Sequence, residues 1–326
     1  MNLRKVLLLA VMASICAMAG SSAYAQARQT ESWWVEKTKG GVYKAPMRPL
    51  WKLSDLKTMH SGQDNWSELI IKDPEQEATY NSGKPGYRIS ARMHPDTATV
   101  FVVIAGHVQF NIEGQQPIAA VRGSIVNVPR TTVYSSEVGG DSNALWVEVN
   151  PANYKAVYPA ADPAPKAVSG GEVIKIAFGH TPGVYRAPNR PHWNLFQAIE
   201  TCDERGAKVL DDHQFANPLI NYANPADDKC PRAAGGGGSG VRPQTPFNPH
   251  SIFGHLHAGP AEWWIVQVGH ISGKFENTGE FHAEEGDVLY AAPMMWHQMG
   301  VEGPGPSVRT AMGGYNLINM NNTAGQ

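Results

Sequence analysis

The chain has 326 residues and is 42% hydrophobic, with Lys plus Arg at 27 and Asp plus Glu at 29, for a formal net charge of −2. That balance excludes a charge-driven nucleic-acid binder and leaves nothing to hold an anionic membrane surface. Gly at 33 and Pro at 24 suit a soluble fold of short strands and tight turns, and the length suits two domains of ordinary size.

The first segment, 1–25, reads as an export signal. Arg4 and Lys5 precede the apolar run 6–13, and Ala23-Tyr24-Ala25 is a small-x-small cleavage site. The run is too short to span a bilayer. No Arg-Arg pair is present, which favours the general secretion route, and Ile15 before Cys16 is a poor context for lipid attachment. The expected mature chain begins at Gln26, is periplasmic or secreted, has a net charge of about −4 and touches no membrane.

An internal repeat follows. Gly41-Val42-Tyr43-Lys44-Ala45-Pro46-Met47-Arg48-Pro49-Leu50-Trp51-Lys52-Leu53 matches Gly183 to Leu195 at nine of thirteen positions, at an offset of 142. A second register, offset 163, sets Gly106-His107 on Gly269-His270 and Gly123 on Gly286. Self-similarity at this range means duplication. It predicts an N-terminal domain over 26–150, a Pro/Ala/Gly linker over 151–171 and a C-terminal domain over 172–326, with an insertion of 21 residues between Leu195 and His255. That insertion holds Cys202, Cys230 and the glycine-rich run 235–240. Two cysteines left in an exported chain are expected to pair.

Residues 255–297 carry the chemistry. His255-Leu256-His257 sets two imidazoles on one face of a strand, since side chains alternate. Gly259-Pro260 turns or bulges the chain, so that Glu262 rejoins the same interior, and His297 arrives from another strand. Three imidazoles and a carboxylate suit a first-row transition metal. Strand parity predicts Phe253, Trp264, Tyr290, Met295 and Met299 as interior neighbours lining a substrate pocket, or simply filling the interior. Trp263 should face outward, toward a helix, a neighbouring sheet or another subunit.

These residues resemble the cupin family, whose motifs read roughly G-x5-H-x-H-x(3–4)-E-x6-G and G-x5-P-x-G-x2-H-x3-N. His255, His257, Glu262, Gly269, Gly286 and His297 match with the family's spacing. Pro249, Ala292, Met294 and Val301 depart from it, and Pro293 comes one step late; these are turn positions, not ligands. The resemblance implies an all-β chain: two tandem cupin-type jelly-roll barrels with short helical and loop segments, a bicupin with the metal inside the second. In the register of 163 the four ligands fall on Arg92, His94, Thr99 and Tyr134, so the first half keeps one imidazole and is expected to be structural. An alternative is an anion site with Arg92 as anchor.

One divalent transition metal per chain is expected, with Fe, Mn, Cu, Ni and Zn all open. A divalent ion held by three neutral imidazoles and an ionised Glu262 keeps one positive charge, which favours a carboxylate, enolate or phenolate substrate; Glu262 is also the candidate base. The cupin resemblance implies a menu: an oxygenase on a small organic, aromatic or enolate-bearing compound with dioxygen as second substrate, a redox-neutral decarboxylase or lyase on an organic acid, or a non-enzymatic metal or small-molecule binder. Homo-oligomer formation stays open.

Overall fold

The computed structural model describes residues 41–160, 174–176, 179–187, 189–202, 209–210, 214–222, 229–230, 254–314 and 319–321. All belong to one compact unit, Thr38–Asn321. The export segment 1–25, Cys16, Gln26, the run 235–240 and Phe253 lie outside the described residues.

In the first half the strands are β1 (Leu50–Trp51), β2 (Trp66–Lys72), β3 (Gln76–Gly83), β4 (Arg88–Arg92), β5 (Thr99–Ala105), β6 (His107–Ile112), β7 (Ile118–Val121), β8 (Ser124–Val128), β9 (Tyr134–Gly139) and β10 (Ala144–Pro151), with helix α1 (Leu53–Met59) after β1. Two short parallel strands follow, β11 (Val157–Pro159) and β12 (Ile174–Ile176). The second half runs β13 (His192–Asn194), helix α2 (Leu195–Thr201), β14 (Val209–Leu210), β15 (Gln214–Tyr222), β16 (His255–His257), β17 (Glu262–Val268), β18 (His270–Phe275), β19 (Gly279–Ala283), β20 (Val288–Ala291), β21 (His297–Glu302), β22 (Pro306–Gly314) and β23 (Asn319–Asn321).

The large sheets repeat strand for strand, and the small ones differ by one added strand, β23. One six-stranded sheet has the order β13-β8-β5-β10-β3-β2 and the other β1-β20-β17-β22-β15-β14. Opposite them stand a four-stranded sheet, β4-β9-β6-β7, and a five-stranded sheet, β19-β18-β21-β16-β23. Each large sheet with its small one is a jelly roll of antiparallel strands. β5 (TVFVVIA) and β17 (EWWIVQV) lack a polar face because both faces are buried. Phe101 and Val103 point into the first jelly roll's own cluster. Val100 and Val102 point the other way, into a cluster shared with Trp263, Ile265, Leu289 and Met312 of the second.

The repeated arms cross over. β1 precedes the first jelly roll in sequence but pairs with β20 of the second; β13 precedes the second but pairs with β8 of the first. The bonds are duplicated as well. Tyr43 Oη lies 3.0 Å from the Tyr290 carbonyl oxygen, and Tyr185 Oη donates to the Asn127 carbonyl at 2.7 Å. Tyr290 N donates to the Pro49 carbonyl and Asn127 N to the Pro191 carbonyl. Two contacts join residues at equivalent places, and so mark a local two-fold axis. Arg122 is paired to Glu285 at 2.5 Å, and Gln76 Nε2 donates to Gln214 Oε1 at 3.2 Å. Gln76 also accepts from Trp263 Nε1 at 2.6 Å, so the outward face of Trp263 meets a neighbouring sheet.

The equivalence of Gln76 with Gln214 relocates the insertion. Their offset is 138, against 142 before and 163 after, so the extra chain lies between Tyr222 and His255. Cys202 is therefore not in the insertion. It caps α2 and is joined by a disulfide to Cys230, 28 residues on. No helix among the described residues is long and apolar enough to cross a membrane.

Candidate metal centre

Three strands deliver four side chains to one place. β16 carries His255 and His257 on one face, β17 opens with Glu262, and β21 opens with His297, whose backbone is in register with His255. One ligand atom from each of the four lies within 4.8 Å of the others. His257 Nε2 is 2.6 Å from Glu262 Oε2, with His297 Nε2 at 3.4 Å and His255 Nε2 at 3.8 Å from the same oxygen. His257 and His297 are buried, while the His255 side chain is 31% exposed and forms the open side.

Electrostatics organise the group. Burial opposes charge on Glu262, but the three imidazoles around it, with His257 in hydrogen-bond range, outweigh burial and hold the carboxyl well below the usual range. Burial lowers the His297 imidazole, with Glu262 opposing the shift. Its Nδ1–H donates to the Met295 carbonyl at 3.1 Å, which leaves Nε2 as the lone-pair nitrogen. That Nε2 is buried with no hydrogen-bond partner. A buried acceptor aimed at a carboxylate and two further imidazoles is costly as it stands and suits a cation. The residues present fit a transition metal.

The surroundings are partly aromatic. Trp264 stands edge-on to His297 at 5.1 Å, and Phe275 at 6.3 Å. Met299 is two residues from His297 on β21 and shares its face. Tyr290 and Met295 are turned away. Tyr290 is in register with Trp263, not with Glu262 or Trp264, and its hydroxyl donates to Asp73 Oδ2 at 3.0 Å. Met295 Sδ lies 3.0 Å from Tyr43 Oη. Parity with the ligands fails for both because neither lies on a ligand's strand: Tyr290 is on β20 and Met295 in the loop before β21.

Sequence reasoning missed Phe275 and Arg309. Phe275 is in register with His297, a pairing that periodicity cannot reveal. Arg309 is in register with Val266, two steps along β17 from Trp264 and four from Glu262, so it shares their face. Burial lowers its guanidinium to about 10, with Glu262 opposing. The signal was a lone cation in the otherwise uncharged strand PSVRTAMGG.

At the equivalent place in the first half, charge is paired internally. Arg92 Nη2 donates to Glu148 Oε1 at 2.6 Å and its Nε to Tyr134 Oη at 2.8 Å. His94 bridges Tyr134 Oη and the Lys155 carbonyl, each at 2.9 Å, and Thr99 donates to Asn150. Burial, then Arg92, pulls His94 down to about 4. Arg92 is thus committed to Glu148, which weakens the alternative of an anion anchor. Among the described residues the second-half group is the one metal-type cluster found.

No family model and no curated protein matches this sequence. Solved structures do. A salicylate 1,2-dioxygenase from Pseudaminobacter salicylatoxidans aligns at 13% identity and TM-score 0.52, over 90% of this chain and 92% of that one. A variant of a salicylate 1,2-dioxygenase in complex with gentisate aligns at 12% and TM-score 0.54, over 97% and 95%. A cupin 2 conserved barrel domain protein from Leptotrichia buccalis aligns at 12% and TM-score 0.50, over 85% and 98%. At such identities the likeness is one of fold. The chain has the cupin fold, and within it His255, His257, Glu262 and His297 form one group that could hold a metal ion.

Proposed function

We propose that the protein is an exported metal-dependent oxygenase acting on a small aromatic or enolate-bearing organic acid. The observation that carries this reading is the buried, unpartnered His297 Nε2 facing Glu262 and two more imidazoles, beside Trp264 and Phe275. His255, His257, Glu262 and His297 would hold one divalent ion. Such an ion supplies Lewis-acid polarisation of an anionic oxygen and, if it is Fe or Cu, a redox centre for dioxygen. Glu262 lowers the charge of the centre and is the candidate base. Trp264 and Phe275, both buried, give the centre an apolar, aromatic surround in keeping with an aromatic substrate. Arg309, on the same face, adds positive charge that favours an anion. The salicylate dioxygenases of like fold make hydroxybenzoates the first substrates to try.

The test is oxygen uptake by metal-loaded protein with salicylate, gentisate and non-aromatic hydroxy acids. Uptake coupled to substrate loss supports the oxygenase. Carbon dioxide release without uptake makes it a decarboxylase, and tight metal with neither makes it a binder. Export is supported by the leader pattern and the Cys202–Cys230 disulfide. An intact mass beginning at Gln26 tests it, and a retained leader rejects it.

A further inference from the structure

The N-terminal arm ends its crossover against the loop that presents His297. Gly41 N donates to the Pro293 carbonyl at 3.0 Å. Tyr43 Oη lies 3.0 Å from both the Tyr290 carbonyl and Met295 Sδ, so its one proton serves two acceptors. Burial pushes this phenol above its usual range, and it stays a donor. Met295 in turn offers its carbonyl to His297 Nδ1–H at 3.1 Å. The preceding residue, Met294, is in the left-handed region at φ 61° and donates its N–H to the His257 carbonyl at 3.1 Å. One loop therefore touches two of the four ligands, and the arm grips that loop by Met295.

We propose that Tyr43 is a positioning residue for the metal centre: by holding Met295 it fixes the carbonyl that aims His297 Nε2 into the site. Groups that orient a metal-ligating imidazole through its other nitrogen set both its tautomer and its direction. Tyr43 acts one step farther out, through the residue that makes that bond. The inference rests on the metal reading.

The repeat supplies an internal control. Thr131, equivalent to Met294, also has positive φ, 58°, and donates its N–H to the His94 carbonyl at 2.7 Å. Tyr185, equivalent to Tyr43, donates to the Asn127 carbonyl. The strapped loop is built twice, but in the first half it leads to Tyr134 instead of a ligand. A hydroxyl with a purely structural role would matter equally in both.

The experiment loads full-length wild type, Tyr43→Phe, Tyr185→Phe and Met295→Leu with Co(II). It follows the visible spectrum, the rate of release to a chelator and the melting temperature. Tyr43→Phe should release Co(II) about tenfold faster than wild type, with an altered spectrum. Tyr185→Phe should match wild type in both, whatever its melting temperature. Met295→Leu keeps the carbonyl but loses the sulfur, should shift release in the same direction, and decides the matter if Tyr43→Phe does not fold. Release from Tyr43→Phe at the wild-type rate, or equal acceleration by Tyr43→Phe and Tyr185→Phe, overturns the positioning role while leaving the metal reading intact. Wild type that takes up no Co(II) overturns both.

Discussion

His94 and His257 hold the same position in the two repeats and have opposite surroundings. His257 faces a carboxylate; His94 sits between a tyrosine hydroxyl and a carbonyl, close to Arg92. His94 therefore stays neutral in the folded protein down to about pH 4, whereas an unfolded histidine protonates near its ordinary 6.5. Between those values the unfolded chain binds the extra proton. Stability is complete above about 6.5 and is lost as pH falls toward 4. Denaturation at pH 7 and 4.5 should show His94→Gln losing about 2 kcal/mol less than wild type over that interval. An identical loss in both would reject the assignment, and metal content should not change in the variant. In the second half, His297→Ala should lose most of its metal, because an ion left with three ligands loses affinity and orientation. Glu262→Gln keeps the shape but removes the charge that offsets the ion, and should retain metal less well. Elemental analysis beside a melting curve checks both. Metal retained in folded His297→Ala would contradict the four-ligand centre.

At the scale of elements, the arms and the turns they cover are complementary. Gly286 has φ +91°, and a Cβ there would stand 2.5 Å from Leu53 Cδ2. Gly123 has φ +83° and would meet Phe196 at 2.8 Å. Each glycine is thus required twice, for the turn and for the arm from the other half that lies on it. Gly286→Ala should cost about 2 kcal/mol in chemical denaturation, from strain at positive φ plus overpacking against Leu53. A loss within error of zero would mean that the arm lifts away freely. The same elements explain the misplacing of Tyr290. Its face depends on the register of β20 with β17, which pairs it with Trp263. A one-residue change of register reverses every side chain.

For the whole molecule, the cluster shared by the two large sheets is the main apolar bond between the halves. It includes Trp51, Val100 and Val102 together with Trp263, Ile265 and Leu289, and the crossed arms extend it. Losing either half would expose this surface, so the described unit should melt in one calorimetric transition. Two resolved transitions, each with half the enthalpy, would show the halves to be independent. Metal should bind at about one ion per chain, since the first half fills the equivalent place with the Arg92–Glu148 pair.

The residues alone determined the strand-rich class, the duplication and the four ligand types at their spacing. Each is a local pattern: alternation along a strand, identity at a fixed offset, two imidazoles two residues apart. The same reading marked Arg92 as unable to ligate, because guanidinium keeps its proton. Only the tertiary structure decided which sheet each arm joins, where the insertion falls, and that Tyr290 and Met295 turn away from the site. It alone revealed Glu148 as the partner of Arg92, 56 residues along the chain. These depend on pairing between distant strands. Such pairing follows from burial and register summed over both halves, and no single segment carries that sum in its own periodicity.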